Sequence, residues 1–281
     1  MKKILLFVLP FLAMVAVSCE KDGKELSGND IIEFKDPNFL KALLTVQEIY
    51  LYDVETDEEI PYMMDVDLNK DGKISVNEAQ KVKGLDLYDY EAEESFNIKE
   101  MPEIKYFTAL THLTYLYEEE TPAQLTSLDL SKNMALEYLA CYGTQLTSLD
   151  FSKNIALKHL YCGNNPQLAS LDLSKNTVFT YLSCHDDQLT SLDLSKNTAL
   201  TYLFCNSNQL TSLDLSKNTA LRYLSCHDNQ LTSLDLSKNA ALRELSCEGN
   251  QLTKIILPAN HLLGPIIQNI INEYGNIIEY R

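Results

Sequence analysis

The second half of the chain repeats one pattern of apolar and polar positions. The string Leu-Asp-(Leu or Phe)-Ser-Lys-Asn occurs six times, and its final asparagines follow one another at steps of 21, 22, 21, 21 and 21 residues. These are Asn133, Asn154, Asn176, Asn197, Asn218 and Asn239. Self-similarity at a fixed period of this size predicts a solenoid, in which each unit packs on its neighbours.

Each unit contains the pattern L-x-x-L-x-[LC]-x-x-N twice, for example from Leu189 to Asn197 and again from Leu200 to Asn208. Alternation of apolar and polar residues is typical of strands, so the leucines and cysteines should point inward and the residues between them outward. We therefore predict a mainly β fold, with strands on both sides of each coil and little helix.

This pattern resembles the nested 21-residue class of bacterial leucine-rich repeats, and the match runs from about Leu125 to Leu257. The resemblance implies a leucine-rich-repeat solenoid of parallel strands. We assign residues 125–258 to the repeats, 84–124 to divergent repeats or an N-terminal cap, and 259–281 to a C-terminal cap.

Six cysteines recur at the same steps as the asparagines, namely Cys141, Cys162, Cys184, Cys205, Cys226 and Cys247. In an exported protein such spacing raises the possibility of disulfides. Adjacent coils, however, give these cysteines parallel Cβ directions, which suit a disulfide poorly. We predict a column of free, buried thiols that pack as small apolar groups.

The outward positions on the cysteine side are varied and rich in aromatic residues. Large aromatic side chains give contact area at low entropic cost, so this side is the predicted ligand-binding face, for a protein or a glycan. Its residues are Tyr138, Tyr161, Tyr181, Tyr202, Phe204 and Tyr223. The alternative is that the rings stack between coils and only stabilise the sheet, which would make the solenoid a passive spacer. The opposite side repeats Ser, Asp and Ser with little change.

The charge of the chain is concentrated in its first half. The formal net charge is −17, and residues 20–120 alone hold 26 acidic residues against 10 lysines. This balance argues against a nucleic-acid partner, because phosphates require a basic surface. A concentrated set of carboxylates instead indicates cation ligands.

One segment of the acidic half resembles the EF-hand calcium loop at every informative position. The resemblance implies ligands from Asp67, Asn69, Asp71, the carbonyl of Lys73, Ser75 through water, and both oxygens of Glu78. Gly72 permits the sharp turn. The alternative is a polar turn before a helix, in which Ser75 and Glu78 form a capping box. We predict a calcium cofactor in a small α-helical, EF-hand-like module over residues 31–83.

The N-terminus has the features of an export signal. A basic start at Lys2 and Lys3 and an apolar run precede Ala16-Val17-Ser18-Cys19. This resembles the lipobox of bacterial lipoproteins, which implies removal of residues 1–18, lipidation of Cys19 and a membrane contact through the lipid. Residues 19–30 then form a flexible tether. The charged residues after Cys19 resemble a signal for the outer membrane, facing the cell exterior.

The chain lacks the sequence motifs of common catalytic sites, among them G-x-S-x-G, H-E-x-x-H and the P-loop. Its histidines have neither triad nor metal-site spacing. We therefore expect a surface binding protein and no enzyme.

Overall fold

The computed structural model describes residues 25–45, 48–53, 58–63, 66–89, 94–116, 124–259 and 274–281. The predicted signal peptide, Cys19 and the first part of the tether lie outside the described residues, as does most of the predicted C-terminal cap. In the described parts of the chain, no helix is long and apolar enough to cross a membrane.

The N-terminal module begins with helix α1 (Pro37–Thr45). Asp36 caps this helix, as its position before a proline predicts, because one of its carboxylate oxygens accepts the Asn38 N–H at 2.8 Å. The other oxygen accepts the Lys99 N–H at 2.6 Å, so the same side chain fastens the helix to a segment 63 residues away.

Two further elements surround the predicted calcium loop. The antiparallel hairpin of β1 (Glu48–Asp53) and β2 (Glu58–Met63) precedes it, and the short helix α2 (Val76–Ala79) follows it. The hairpin takes the place where an EF-hand would have its entering helix, so the module has less helix than the resemblance implies.

An eight-stranded parallel sheet forms the cysteine side of the solenoid. Its strands are β3 (Gly84–Asp86), β6 (His112–Leu116), β7 (Tyr138–Tyr142), β8 (His159–Tyr161), β9 (Tyr181–Ser183), β10 (Tyr202–Phe204), β11 (Tyr223–Ser225) and β13 (Glu244–Ser246). Equivalent residues of successive coils pair in register, for example Leu203 with Leu224. The small antiparallel pair β4 (Tyr88–Asp89) and β5 (Glu94–Ser95) lies between β3 and β6 along the chain.

The second side of the coils has few strands. The parallel strands β12 (Ser233–Asp235), β14 (Lys254–Leu257) and β15 (Ile278–Tyr280) form a sheet at the C-terminal end. In earlier described coils the only pairing on this side is a single bridge between Asp150 and Asp172. The prediction of strands on both sides is therefore met only at this end.

A local hydrogen bond recurs along this side in every repeat, including the one that forms β12, so it does not by itself separate the two ends. In each Leu-Asp-Leu-Ser segment the aspartate side chain accepts the N–H of the serine two residues later, as Asp193 does from Ser195 at 2.9 Å. Such a bond offers the backbone an alternative to the strand ladder. The turn that follows then leaves few extended residues on this side.

The core consists of the inward columns that the period predicts. The leucines of both half-repeats are buried, except for the partly buried Leu128 and Leu252 at the two ends, and Phe151 and Phe179 replace leucine at two positions. The predicted column of free, buried thiols is confirmed, since all six described cysteines are free and inaccessible. Burial raises the thiol pKa in Cys141, Cys162, Cys184, Cys205 and Cys226. The thiols are therefore protonated and pack as apolar groups.

Buried asparagine amides join each coil to the one before it. The Asn197 Nδ2 donates to the Leu173 carbonyl at 3.2 Å and to the Asn176 carbonyl at 2.7 Å, both in the preceding coil. The five other asparagines of this column donate to two carbonyls in the same manner. These bonds form a ladder that runs from side chain to backbone along the coils.

We expect Asn197→Ala to lower the free energy of unfolding by about 2–4 kcal/mol, because two bonds are lost and two buried carbonyls lose a donor. Urea unfolding measures the change. Thr198→Ala is the control, since this position is exposed and already holds alanine at Ala240, and it should change stability by less than about 0.5 kcal/mol. Equal stabilities of the two variants would contradict a structural role for the amide.

Candidate functional site

A continuous series of ring contacts crosses six strands of the large sheet, from β6 to β11. We call it the aromatic ladder; it consists of His112, Tyr138, His159, Tyr161, Tyr181, Tyr202, Phe204 and Tyr223. The structure thus brings all six predicted face residues onto one surface. Whether this surface binds a ligand stays a prediction.

Tyr181 is the centre of the aromatic ladder. Its ring centroid lies 4.4 Å from that of Tyr161, 5.7 Å from Tyr202 and 5.5 Å from Phe204. The side-chain sizes explain why these rings can meet. On the neighbouring column Tyr161 and Phe204 alternate with Ala140, Ser183 and Ser225, so each large ring has room to lean over its neighbour.

The closest rings of the aromatic ladder stack face to face. The Tyr202 and Tyr223 centroids are 4.7 Å apart with planes 12° apart, and the Tyr161 and Tyr181 planes differ by 28°. Two coplanar rings lying side by side would clash at such separations, so each pair must overlap through its faces. The edges and hydroxyl groups of the rings are therefore what the ladder can offer to a ligand.

Charged side chains border the aromatic ladder, and most of them have partners. Lys158 pairs with Glu137 at 2.7 Å. Further along, the pairs are His185 with Asp186 and His227 with Asp228 at 2.7 Å, Glu248 with the Ser246 hydroxyl at 2.7 Å, and Glu244 with Tyr223. Sequence reasoning missed these pairs, although the dipeptide His-Asp recurs two coils apart. Two arginines before β11 and β13, Arg222 and Arg243, are exposed.

The opposite side of the solenoid is uniform and polar. Its exposed aspartates are ionised, because hydrogen bonds from serine lower the pKa of each carboxyl, as the Ser195 N–H does for Asp193. The aspartates of successive coils repel one another, and lysines such as Lys196 oppose that effect. A shallow depression on this side is lined by Ser191, Asp193, Ser212, Asp214 and Lys217 among others.

The backbone of the predicted calcium loop has the turns that such a loop needs. The carboxylate of Asp67 accepts the N–H of Asp71 at 3.1 Å and of Gly72 at 2.7 Å. Lys70 and Gly72 have positive φ angles of 58° and 76°. These bonds wrap the segment around the side chain of its first residue, and the oxygen donors are those that a hard cation prefers.

Glu78 forms the capping box in this structure. Its carboxylate accepts the Ser75 N–H at 2.8 Å and the Ser75 hydroxyl at 2.7 Å, while the Ser75 Oγ accepts the Glu78 N–H. Its other oxygen lies 3.4 Å from the Asn69 nitrogen, within the loop. Among the described residues, no three His, Cys, Asp or Glu side chains converge closely enough to hold a metal ion. Calcium binding would thus require Glu78 to exchange its cap bonds for the cation.

The N-terminal segment pairs with the predicted calcium loop. Ile31 and Ser75 form an antiparallel bridge, and the Ile32 N–H donates to the Ile74 carbonyl at 2.8 Å. The Val76 N–H donates to the Asp30 carbonyl at 3.0 Å. EF-hand loops normally pair with one another; here part of the predicted tether region takes that place.

A second column of side chains closes the turn after each strand of the large sheet. In this column Asn208 donates to the carbonyls of Cys184 and Cys205, at 2.8 and 3.2 Å, and accepts the Leu189 N–H at 2.9 Å. Asn229 and Asn250 repeat this pattern.

Asp187 occupies the asparagine position of this column in one coil. It accepts the Asn165 N–H at 2.7 Å, and its second oxygen is buried without a hydrogen-bond partner. Burial raises the pKa of Asp187 to about 8. The hydrogen bond from the Asn165 N–H opposes this rise in pKa, whereas the negative charge of Asp186 adds to it. A protonated carboxyl can donate a hydrogen bond, as the amide of asparagine does, whereas a carboxylate cannot.

Solved structures that resemble the chain are leucine-rich-repeat proteins. The functional domain of InlJ from Listeria monocytogenes, described as including a cysteine ladder, is 24% identical at a TM-score of 0.46, over 84% of this chain and 58% of that one. A leucine-rich-repeat protein of Leptospira interrogans is 18% identical at 0.49, over 73% and 62%. The chain thus spans about three fifths of the length of both.

The leucine-rich-repeat ectodomain of the plant receptor kinase GASSHO1/SCHENGEN3 from Arabidopsis thaliana is 18% identical at a TM-score of 0.52, over 72% of this chain and 27% of that one. No family model matches the chain, and no curated protein matches it. The fold is a mainly β, leucine-rich-repeat solenoid of parallel strands with little helix.

We expect Asp187→Asn to stabilise the protein more at pH 8.5 than at pH 5. Between the ordinary carboxyl pKa of 3.8 and the folded value of about 8, the native state holds a proton that the unfolded state has released. The free energy of unfolding of the wild type therefore falls by up to about 1.4 kcal/mol for each unit by which the pH rises across this window. The amide of Asn at position 187 does not titrate, so the variant lacks this dependence on pH.

Urea unfolding of wild type and variant at the two pH values measures this difference. The control is Asp193→Asn, because the Asp193 pKa is lowered and its carboxylate is ionised at both pH values in either state. An Asp187→Asn effect of equal size at pH 5 and pH 8.5 would show that this residue is ionised in the fold.

Proposed function

We propose that this protein is a cell-surface binding protein whose solenoid engages a protein partner through the aromatic ladder. The observation that carries the proposal is the contrast between the two sides of the same coils. One side holds stacked aromatic rings with varied polar neighbours, and the other repeats serine, aspartate and lysine almost without change. Aromatic residues are enriched where proteins bind one another.

The fold supports a binding role. The Arabidopsis ectodomain with this fold was solved in complex with CASPARIAN STRIP INTEGRITY FACTOR 2. The described thiols also support a binding role, since they are buried and burial raises their pKa, so they are poor nucleophiles. A binding protein remains our proposal in preference to an enzyme.

The proposed site of action is the exterior of a bacterial outer membrane. Support comes from the sequence alone: the export signal of residues 1–18, the lipobox that ends at Cys19 and the polar segment that follows. Each buried CH₂ of an acyl chain stabilises membrane binding by about 0.8 kcal/mol, so two or more chains on Cys19 would form a stable anchor.

The proposed calcium site has a structural role. Asp67, Asn69, Asp71 and Glu78 would supply side-chain oxygens, Lys73 its carbonyl and Ser75 a water contact. The backbone of the loop supports this assignment, because its turns and N–H bonds are already formed. The cation would neutralise part of the acidic half and fix a loop to which the N-terminal segment is hydrogen-bonded.

A passive spacer is the second candidate function, and the ring stacking itself favours it. Rings that cover one another between coils stabilise the sheet by about 0.5–1.5 kcal/mol per pair without any ligand. The two functions differ in what loss of the rings does to binding.

We expect the triple variant Tyr181→Ala/Tyr202→Ala/Tyr223→Ala to capture at least about tenfold less partner than the wild type from bacterial and animal cell-surface extracts. The reason is that truncation of aromatic residues at the centre of an interface costs about 2 kcal/mol or more of binding free energy. The control is Ser191→Ala/Ser212→Ala/Ser233→Ala at exposed positions on the opposite side. Circular dichroism verifies that each variant is folded.

The same positions changed to phenylalanine separate stacking from ligand contact. This variant should keep the stability of the wild type while losing hydroxyl contacts with the partner. Equal capture by the wild type, the alanine variant and the control would remove this face from consideration, and absence of any captured partner would favour the spacer.

We expect 1 mM calcium to raise the melting temperature relative to excess chelator, because a ligand at about one hundred times its Kd stabilises the native state by about 2.7 kcal/mol. Asp67→Ala should abolish this shift. Asp129→Ala, an exposed aspartate of the repeat, should retain it. If wild type melts at one temperature in both buffers, the loop is a capped turn and no calcium site.

A further inference from the structure

Arg222 and Arg243 differ from the other charged side chains that border the aromatic ladder. Both are exposed, and neither pairs with a carboxylate within the part of the chain that the structure describes. The nearby acids are engaged elsewhere, since Glu248 bonds the Ser246 hydroxyl and Glu244 bonds a tyrosine of the ladder. The two guanidinium groups are therefore available to a ligand.

The fold places these two arginines side by side. Arg222 stands directly before β11 and Arg243 directly before β13, and the Arg243 N–H donates to the Arg222 carbonyl at 2.8 Å. Neighbouring strands lie about 4.8 Å apart. Two planar guanidinium groups carried on long side chains from neighbouring strands can converge on one carboxylate and bond both of its oxygens.

The aromatic ladder extends the preference of the two arginines for oxygen ligands along the sheet. An aromatic ring is negative on its faces and positive at its edge. Because stacking covers faces of Tyr181, Tyr202 and Tyr223, a ligand meets mainly edges and hydroxyl groups. These suit the oxygens of backbone carbonyls and carboxylates, whereas a sugar ring that stacks on an aromatic face finds both faces of Tyr181 and Tyr202 covered by neighbouring rings.

The preference for anions is local. Residues 121–281 hold 14 acidic residues against 11 basic ones, so the solenoid as a whole has no positive field for a polyanion. A single carboxylate next to carbonyl groups fits this surface, and a nucleic acid or a heavily sulfated glycan does not.

We infer that the aromatic ladder binds an acidic polypeptide segment, with a carboxylate held between Arg222 and Arg243 and the adjoining backbone against the tyrosine edges. This inference rests on the proposed function of the ladder as a binding face. It narrows the protein partner of that proposal to an acidic polypeptide, and it adds two residues to the site.

The test selects peptides from a displayed library of random dodecamers on the immobilised full chain. Wild type should select peptides enriched in Asp and Glu, and Arg222→Gln/Arg243→Gln should bind these peptides at least about tenfold more weakly. Arg222→Glu/Arg243→Glu should select peptides enriched in Lys and Arg, which a purely structural role of the arginines would not produce. Lys196→Gln/Lys217→Gln on the opposite side should select as wild type does.

The outcomes distinguish this inference from the proposed function. Peptides whose binding requires Tyr181, Tyr202 and Tyr223 but shows neither acidic enrichment nor dependence on the arginines would overturn the acidic ligand and keep the binding face. Binding that is independent of both the tyrosines and the arginines would overturn both. Chondroitin sulfate that is bound in preference to every selected peptide would replace the polypeptide by a sulfated glycan and so overturn the inference.

Discussion

The stacking of this solenoid depends on one side-chain amide per coil. Each asparagine after the Ser-Lys turn donates to two backbone carbonyls of the preceding coil, and it is buried from Asn133 to Asn239. Each of these turn carbonyls also accepts an N–H of its own coil, as the Leu194 carbonyl does from Asn197, and the amide of the next coil adds a second donor. The amide therefore sets the register between coils. Even where Pro166 lengthens one coil, Asn176 still reaches the Asn154 carbonyl at 2.9 Å, and Leu160 pairs with Leu182.

Periodicity predicted most of the solenoid because each coil repeats the environment of the last. A residue such as Cys205 or Leu203 has the same neighbours as its equivalents, so alternation alone places it in the core. The second side was less predictable, because its apolar positions repeat in the same way in every coil while the described coils pair as strands there mainly at the C-terminal end. The hydrogen bond between Ile32 and the predicted calcium loop could not be predicted from the apolar pattern either, since it joins segments 42 residues apart.

The aromatic ladder likewise has features that the sequence pattern predicts and features that it does not. The positions of Tyr181, Tyr202 and Phe204 on one surface follow from strand alternation. Their ring planes do not, because they depend on which neighbours are small enough to leave room, as Ser183 and Ser225 are. The distinction matters for recognition. The same residues suit stacked sugars when their faces are open, and polypeptide oxygens when only their edges are.

The pairing of the N-terminal segment with the predicted calcium loop has a mechanical consequence. In a protein anchored at Cys19, tension on the anchor enters the folded chain where Gly28, Asp30 and Ile32 bond residues 74–77. In such an anchored protein the predicted calcium loop would therefore bear the tension before any coil of the solenoid does. A cation that joins Asp67 to Glu78 would cross-link both ends of the loaded segment. Calcium concentration would then set the force at which this loop unfolds, while the coils remain folded.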